Sequence, residues 1–150
     1  MHREAGESMF WSAGDKKRSH VDLAERPSRY GGRQGLGRRG EQAAAAYIEA
    51  LGFRILARSF RAAGCEIDLV AQDGVTLVFV EVKTRASRAC GFPAEAVDGR
   101  KRRRLSRAAA IYLGRHTSGE VLCRFDVAEV VEGPGGTLLV RLLRDAFEAP

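Results

Sequence analysis

Residues 64–85, "GCEIDLVAQDGVTLVFVEVKTR", decide the fold, because they place four acids and two bases inside a hydrophobic run. Two strand-like segments, 66–72 and 75–85, flank Asp73-Gly74. Asp-Gly between alternating apolar residues is a strong hairpin signal. Charges within buried strands are costly unless they are paired. The stretch therefore predicts a mostly buried hairpin that carries a polar site.

The second strand of this hairpin predicts a cleft, because successive side chains of a strand point to opposite faces. One face is apolar or carries Thr, whereas the other starts apolar and ends with Glu81 and Lys83. A two-residue turn at Asp73-Gly74 would pair Asp68 with Phe79. It would also pair Glu66 with Glu81, so that the four charged side chains share one face unless a bulge shifts the register.

Carboxylates gathered in this way repel one another, so either one of them binds a proton or a cation lies among them. Lys83 can neutralise one acid, and a divalent metal can satisfy two. Oxygen ligands without a nearby His or Cys suit Mg²⁺ or Mn²⁺ better than zinc. Such an ion can polarise a phosphodiester and activate a water, while Lys83 orients that water or stabilises the charge that develops on phosphorus. A salt-bridge ladder on a solvated sheet edge is the alternative, and the residues alone leave it open.

The remaining segments predict one α/β domain over residues 36–150, with a mixed sheet flanked by helices in the order α-β-β-β-α-β-β. The predicted helices cover residues 36–51 and 99–116, and the predicted strands cover residues 53–62, 66–72, 75–85, 122–132 and 137–147. Residues 1–35 are polar, lack apolar periodicity and end in "YGGRQGLGRRG". We interpret residues 1–35 as a flexible basic N-terminal tail.

Composition restricts the class of protein. The 150 residues contain 25 Lys plus Arg and 19 Asp plus Glu, a formal net charge of +6, which favours polyanionic partners, although many soluble proteins are mildly basic. The three cysteines are widely spaced without a CxxC pair, which argues against a zinc site or a disulfide scaffold and suits a reducing cytosol. We find neither a signal-peptide run nor a membrane-length apolar stretch, and we expect a cytoplasmic protein without a membrane segment.

The start of the second predicted helix is crowded with cations, which oppose the helix dipole there unless Asp98 caps the helix and offsets part of that cost. These cations are Arg100, Lys101, Arg102, Arg103, Arg104 and Arg107. Such a run favours phosphate contacts, with a solvated charge run as the alternative, which we prefer for Arg102 and Arg103. Lys101 falls on the apolar face and is expected to point inward. Arg85, next outward from Lys83 on its strand, is a further candidate for phosphate contact.

The order of acid, acid and lysine on consecutive strands resembles the restriction-endonuclease-like, or PD-(D/E)xK, nucleases. More closely, three blocks in this order are similar to the YraN family, a bacterial group of predicted endonuclease-like proteins. The blocks are "GRRGEQAAAAYIEALGFRILARSFRAAGCEIDLVAQDGVTLVFVEVKTR", "GFPAEAVDGRKRRRLSRAAAIYL" and "RFDV". The resemblance runs from about residue 35 to the C-terminal strands. It implies a restriction-endonuclease-like core, which archaeal Holliday-junction resolvases share.

The same resemblance implies that Asp68 and Glu81 bind the metal and that Lys83 is catalytic. Glu41 would correspond to the acid on the first helix of the resolvases and would be a further metal ligand. A negative charge near a helix start is also favoured by the helix dipole alone. The residues by themselves therefore leave open whether Glu41 is a metal ligand or only stabilises the helix. Glu-Ile-Asp stands where the superfamily signature has Pro-Asp. Glu66 is a candidate accessory residue of the predicted metal site.

Together these features lead us to expect a Mg²⁺- or Mn²⁺-dependent DNA endonuclease, with branched or damaged DNA as candidate substrates and DNA favoured over RNA. Arg100, Lys101, Arg104 and Arg85 are the predicted nucleic-acid contacts. A nucleic-acid-binding protein with this fold but no turnover is one alternative, and an adaptor with a structural salt-bridge patch is another. A homodimer would suit a structure-specific nuclease, and no sequence feature identifies its interface.

Overall fold

The computed structural model describes residues 10–12, 33–86 and 97–150. In these residues two helices, α1 (Arg33–Ala50) and α2 (Gly99–His116), flank a sheet of six strands. The strands are β1 (Phe10–Ser12), β2 (Arg54–Ala62), β3 (Cys65–Asp73), β4 (Thr76–Arg85), β5 (Cys123–Glu132) and β6 (Leu138–Phe147). Their order across the sheet is β1-β6-β5-β4-β3-β2, with β4 and β5 parallel and the other neighbours antiparallel. The predicted α/β class and the element order from α1 onward are confirmed.

The core has two layers, one on each face of the sheet. The alanine-rich side of α1 packs against Val78 and Val80, and the apolar side of α2 packs against Leu77 and Phe79. Strand β4 is therefore buried on both faces along its first half, as its alternation predicts. Its second half carries the charged residues, so the polar site lies where the double burial ends.

Different local features fix the two helices: a close contact with the sheet for α1 and an N-terminal cap for α2. At Gly40, a Cβ atom would lie only 1.9 Å from Oγ1 of Thr84, so glycine lets α1 approach the end of β4 closely. Helix α2 is capped by Asp98, whose side chain accepts a hydrogen bond from the N–H of Lys101 at 2.8 Å, as predicted. Within the described part of the chain, neither helix combines the length and apolar character that crossing a membrane requires.

The register of the β3–β4 hairpin differs from the prediction by two residues. Asp73 pairs with Thr76, and Val70 rather than Asp68 pairs with Phe79. The turn is therefore Gly74-Val75, because Gly74 adopts a positive φ of 59°, which glycine reaches at little cost. A shift by an even number of residues leaves the faces of β4 unchanged, so Glu81 and Lys83 still lie on one face of this strand.

Part of the predicted tail is ordered against the sheet. Phe10–Ser12 forms β1, which pairs with β6, and Trp11 lies opposite Val140. Helix α1 begins at Arg33, before the predicted domain start at residue 36. The other residues of the predicted tail lie outside the described ranges, and its flexibility stays a prediction.

Candidate functional site

The β3–β4 hairpin opens at Asp68. Regular pairing of the two strands runs from Asp73 opposite Thr76 to Leu69 opposite Val80. Just beyond, a carboxylate oxygen of Asp68 accepts a hydrogen bond from the N–H of Val82 at 2.7 Å. A buried backbone N–H needs an acceptor, and here a side chain supplies it in place of a strand carbonyl. The carboxylate is thereby held between the two strands.

The alternation of β3 also breaks at Asp68. Ile67 packs in the α2-side core whereas Leu69 packs in the α1-side core, although residues two apart on a regular strand share a face. Glu66, on the opposite face from Ile67, therefore points toward α1. The prediction that Glu66 shares one face with Glu81 and Lys83 is wrong, because β3 changes faces at Asp68.

This change of face gathers three acids into what we call the acidic cluster: Glu41, Glu66 and Asp68. One carboxylate oxygen from each lies within 4.8 Å of the corresponding oxygens of the other two. Glu41 comes from α1, next to the close approach of Gly40 to the sheet, and the other two come from β3. Glu66, an accessory candidate on sequence alone, thus lies beside Glu41 and Asp68.

Burial and neighbouring negative charge both favour proton binding by two acids of the acidic cluster. Burial, followed by the charge of Glu81, raises the pKa of Asp68 to about 7, although the hydrogen bond from Val82 and the charge of Lys101 oppose this. Burial and the charge of Glu66 likewise raise the pKa of Glu41. Both shifts mean that negative charge at this place is costly, and a bound cation would relieve that cost.

Glu81 lies beside the acidic cluster and is only 5% exposed. Its Oε1 atom is 3.1 Å from Nζ of Lys83 and 3.3 Å from Nζ of Lys101. Its Oε2 atom is buried and, among the described residues, has no hydrogen-bond partner. An unsatisfied buried acceptor is costly, so the second oxygen of Glu81 is suited to a ligand that enters the site.

The structure thus brings Asp68, Glu81, Lys83 and Glu41 into one region. The acidic cluster is one group, and Glu81 with its lysines is the other. The two groups interact electrostatically because, besides burial, the charge of Glu81 raises the pKa of both Asp68 and Glu41. Lys101 reaches this region from α2, on the opposite side of the sheet from Glu41. The opened hairpin is what lets groups from both sides of the sheet approach each other.

Sequence reasoning missed Arg61, whose Nε atom lies 2.5 Å from Oε2 of Glu66. Arg61 pairs with Glu66 across the β2–β3 hairpin, which turns at Ala63 and Gly64. Both turn residues have positive φ, 51° and 67°, the requirement of the tight turn that favours two-residue hairpins. Taking "AAGC" as such a turn would have placed Arg61 opposite Glu66.

The predicted phosphate contacts fall in different places. Arg100 is exposed near the start of α2, and Arg104 is exposed and donates a hydrogen bond to the carbonyl of Gly64. Arg85 is half-buried at the end of β4. The interpretation of Arg102 as part of a solvated run is wrong. Its Nε donates to the carbonyl of Val97 at 2.8 Å, and its guanidinium lies 5.3 Å from the ring centroid of Phe147.

Comparison with known proteins identifies the family. The sequence profile described as "Uncharacterised protein family UPF0102" matches residues 40–130, which include all four acids of the site. The chain belongs to the UPF0102 family. This is the YraN group, so the predicted relationship is confirmed.

Several UPF0102 proteins are similar over most of their length. A UPF0102 protein of Symbiobacterium thermophilum is 55% identical over 114 residues, which cover 76% of this chain and 97% of the relative. One of Geobacter sulfurreducens is 46% identical over 113 residues, 75% of this chain and 88% of the relative. One of Frankia casuarinae is 47% identical over 112 residues, 75% of this chain and 95% of the relative. The family match at residues 40–130 lies within the α/β domain and contains the four acids of the site.

Proposed function

We propose that this UPF0102 protein is a metal-dependent endonuclease that hydrolyses phosphodiester bonds in DNA. The observation that carries the proposal is the acidic cluster, with three carboxylate oxygens within 4.8 Å of one another, beside the buried Glu81 and its two lysines. Acids and cations in this proximity are an arrangement suited to binding a metal ion and a phosphate together.

The residues fit a hard divalent cation, because the acidic cluster offers only carboxylate oxygens. Such ligands favour Mg²⁺ or Mn²⁺. Asp68, Glu41 and Glu66 would hold the ion, and the further candidate ligand is Oε2 of Glu81, which has no hydrogen-bond partner in the described part of the chain. When bound, the ion would polarise the phosphodiester and lower the pKa of a bound water.

The lysines supply the complementary charge. Lys83 and Lys101 both lie against Oε1 of Glu81, and their side chains are about one-third exposed, so each remains accessible to solvent. An ammonium group fixed at this place can orient a water and stabilise the charge that develops on phosphorus. We assign the catalytic role to Lys83 and a supporting electrostatic role to Lys101.

Further charges support nucleic acid as the substrate. The net charge is +6, and exposed arginines surround the start of α2 beside the site. We propose DNA rather than RNA, with branched or damaged DNA as the preferred form and a homodimer as the arrangement suited to a branched substrate. The widely spaced cysteines suit the reducing cytoplasm, where we place this activity.

A panel of linear, single-stranded, flapped and four-way DNA, each incubated with Mg²⁺ or Mn²⁺, tests the proposal. We expect metal-dependent cleavage of at least one substrate, its loss in Asp68→Asn, and full activity in Glu49→Gln, which removes an exposed acid from the last turn of α1. Cleavage of none of the substrates, or undiminished cleavage by Asp68→Asn, would contradict the proposal.

A nucleic-acid-binding protein without turnover is the second candidate. The observation that favours it is the contact of both Lys83 and Lys101 with Glu81, which neutralises this acid without a metal ion. It predicts salt-dependent DNA binding with no metal requirement. Calorimetric binding of Mn²⁺ that disappears in Glu81→Gln would count against it.

A further inference from the structure

The cations at the start of α2 point in three directions. Lys101 turns to Glu81, and Arg102 turns to Val97 and Phe147. The remaining four are exposed and follow the i, i+3, i+4, i+7 spacing of one helix face, and we call them the arginine stripe: Arg100, Arg103, Arg104 and Arg107. The four exposed arginines of the stripe are therefore distinct from the half-buried Lys101 and Arg102.

Among the described residues, one side-chain hydrogen bond is formed by the stripe, from Arg104 to the carbonyl of Gly64, and it does not balance the charge of the stripe. Like charges at these spacings repel, and in the first turns of a helix they also oppose the dipole. Helix α2 contains no Asp or Glu, and no carboxylate of the described residues forms an ion pair with a stripe arginine. Asp98, the capping residue, is the acid whose charge interacts with Arg100 and Arg103. One carboxylate does not balance four guanidinium groups, so an external polyanion is the natural complement.

The stripe also adjoins the acidic cluster. Arg104 donates to the carbonyl of Gly64, in the turn that leads through Cys65 to Glu66. A surface depression of about 410 Å³ lies at this turn, lined by Arg61, Ala62, Gly64, Cys65 and Glu66. Lys101, from the same helical turn as Arg104, reaches Glu81. A polyanion bound along the stripe would consequently pass beside the acids.

We propose that the arginine stripe binds the phosphate backbone of duplex DNA and holds it against the acidic cluster. This inference rests on the proposed function and names its substrate class. A rise of 1.5 Å per residue separates Arg100 from Arg107 by about 10 Å along the helix axis. That length corresponds to about three nucleotide steps of one strand, at 3.4 Å each.

The surroundings of the stripe favour a duplex over a single strand. Sites for single-stranded nucleic acid combine basic residues with aromatic rings on which bases stack. Within the described residues, α2 has one Phe, Tyr or Trp side chain, Tyr112, and it is buried against Phe60 and Phe79. Contacts from arginine to phosphate alone position a duplex without reading its sequence.

The triple variant Arg100→Gln, Arg103→Gln, Arg107→Gln tests the stripe and leaves Arg104 in place, because Arg104 also contacts the turn. Binding of a short fluorescein-labelled DNA duplex is measured by anisotropy in EDTA across a KCl series. We expect the slope of log affinity against log salt to decrease by about 0.9 for each lost phosphate contact. At about 0.1 M KCl the affinity should fall on the order of tenfold to a hundredfold.

The matched control removes the same charge elsewhere, through Arg54→Gln, Arg115→Gln and Arg144→Gln. Arg54 pairs with Gln72 and Arg144 with Asp73, near the hairpin turn, and Arg115 lies in the last turn of α2. We expect this variant to retain the wild-type slope, and thermal melting verifies that both triple variants fold. An unchanged slope in the stripe variant, or an equal loss in the control, would overturn the proposal. So would the absence of duplex binding by the wild type, or binding of single strands or duplex RNA as tight as that of duplex DNA.

Because binding is measured without metal, failure of the stripe and failure of the endonuclease proposal are distinguishable. Loss of binding in the stripe variant, together with absent cleavage by the wild type in Mg²⁺ and Mn²⁺, would support the stripe and reject the endonuclease. Cleavage abolished by Asp68→Asn, together with unchanged binding by the stripe variant, would reject the stripe and retain the endonuclease.

Discussion

The carboxylate of Asp68 accepts a hydrogen bond from the backbone N–H of Val82 at 2.7 Å, at the point where the pairing of β3 and β4 ends. This bond fixes an acid inside the sheet rather than on its surface. It also explains how a strand segment can hold a carboxyl group beside a hydrophobic core, since the carboxyl group satisfies a backbone donor while facing Glu41 and Glu66.

The raised pKa of Asp68 predicts a loss of stability with rising pH in metal-free protein. The pKa is about 7 in the folded state and 3.8 in the absence of the fold. Below pH 3.8 both states bind the proton and the group does not oppose folding. Between the two values only the folded state retains the proton, so stability falls until the pH exceeds about 7.

Asp68→Asn should remove this dependence, because an amide oxygen can still accept from Val82 but carries no charge. In EDTA at pH 8 we expect the variant to be more stable than the wild type by on the order of 1 to 3 kcal/mol, with little difference at low pH. Urea denaturation at a series of pH values measures this. Asp98→Asn is a control in which stability depends on pH in the opposite direction. The hydrogen bond from Lys101 lowers the pKa of Asp98, so the stability that the Asp98 carboxylate contributes is lost as the pH falls. Equal pH dependence in wild type and Asp68→Asn would contradict the prediction.

Glu66→Gln should weaken Mn²⁺ binding at least about tenfold, in the range of losses seen when the surroundings of a metal are altered. Glu66 supplies one of the three neighbouring carboxylate oxygens, and an amide oxygen is a weaker ligand without charge. Isothermal calorimetry compares this variant with Glu49→Gln, which should bind Mn²⁺ as the wild type does. Unchanged affinity in Glu66→Gln would remove Glu66 from the ligand set.

Arg61→Gln should have the opposite effect and strengthen Mn²⁺ binding. The guanidinium of Arg61 is 2.5 Å from Oε2 of Glu66 and competes with a metal ion for that carboxylate. The side chain of Arg61 is 78% exposed, so its removal should not disturb the core. Calorimetry with Arg54→Gln as the charge-matched control measures the change, and a decrease in affinity would show that Arg61 orients Glu66 instead of competing for it.

Lys83 and Lys101 should prove energetically coupled through Glu81. Lys83→Met or Lys101→Met alone leaves one ammonium group at Oε1, whereas both changes leave a buried carboxylate without a cation. We expect the double variant to lose about 0.5 to 3 kcal/mol beyond the sum of the single losses, measured by urea denaturation. In a Glu81→Gln background the coupling should vanish, and additive losses with Glu81 present would contradict this account.

Sequence alone could predict the features of the site that depend on local pattern. The alternation in β4 predicted burial on both faces and a charged end. The position of Lys101 on the apolar face of α2 correctly predicted that its side chain points inward. Sequence could not predict the change of face at Asp68, because it does not reveal where regular β3–β4 pairing ends or that Ser59, on the neighbouring strand β2, has a positive φ of 50°. It likewise could not place Arg102, whose guanidinium lies over Phe147 near the C-terminus of the chain.

The contact between α1 and the sheet is another long-range feature, and Gly40 tests it. In Gly40→Ala the new Cβ would lie 1.9 Å from Oγ1 of Thr84, so the helix or the strand must shift. We expect a loss of about 1 to 3 kcal/mol, as for an overpacked core. Because α1 carries Glu41, we also expect weaker Mn²⁺ binding from the displaced carboxylate.

Gly37→Ala is the matched control on the same helix, since a Cβ at Gly37 meets nothing within 4 Å. Alanine is the better helix former, so this variant should gain about 0.5 to 1 kcal/mol and bind Mn²⁺ unchanged. Thr84→Ala should recover part of the stability of Gly40→Ala, because it removes the two nearest atoms of the clash. Thermal melting of Gly40→Ala, Gly37→Ala and the double variant Gly40→Ala, Thr84→Ala measures these changes in stability. A neutral Gly40→Ala would mean that α1 does not depend on this close approach, and that Glu41 is held over the acidic cluster by other contacts of the helix.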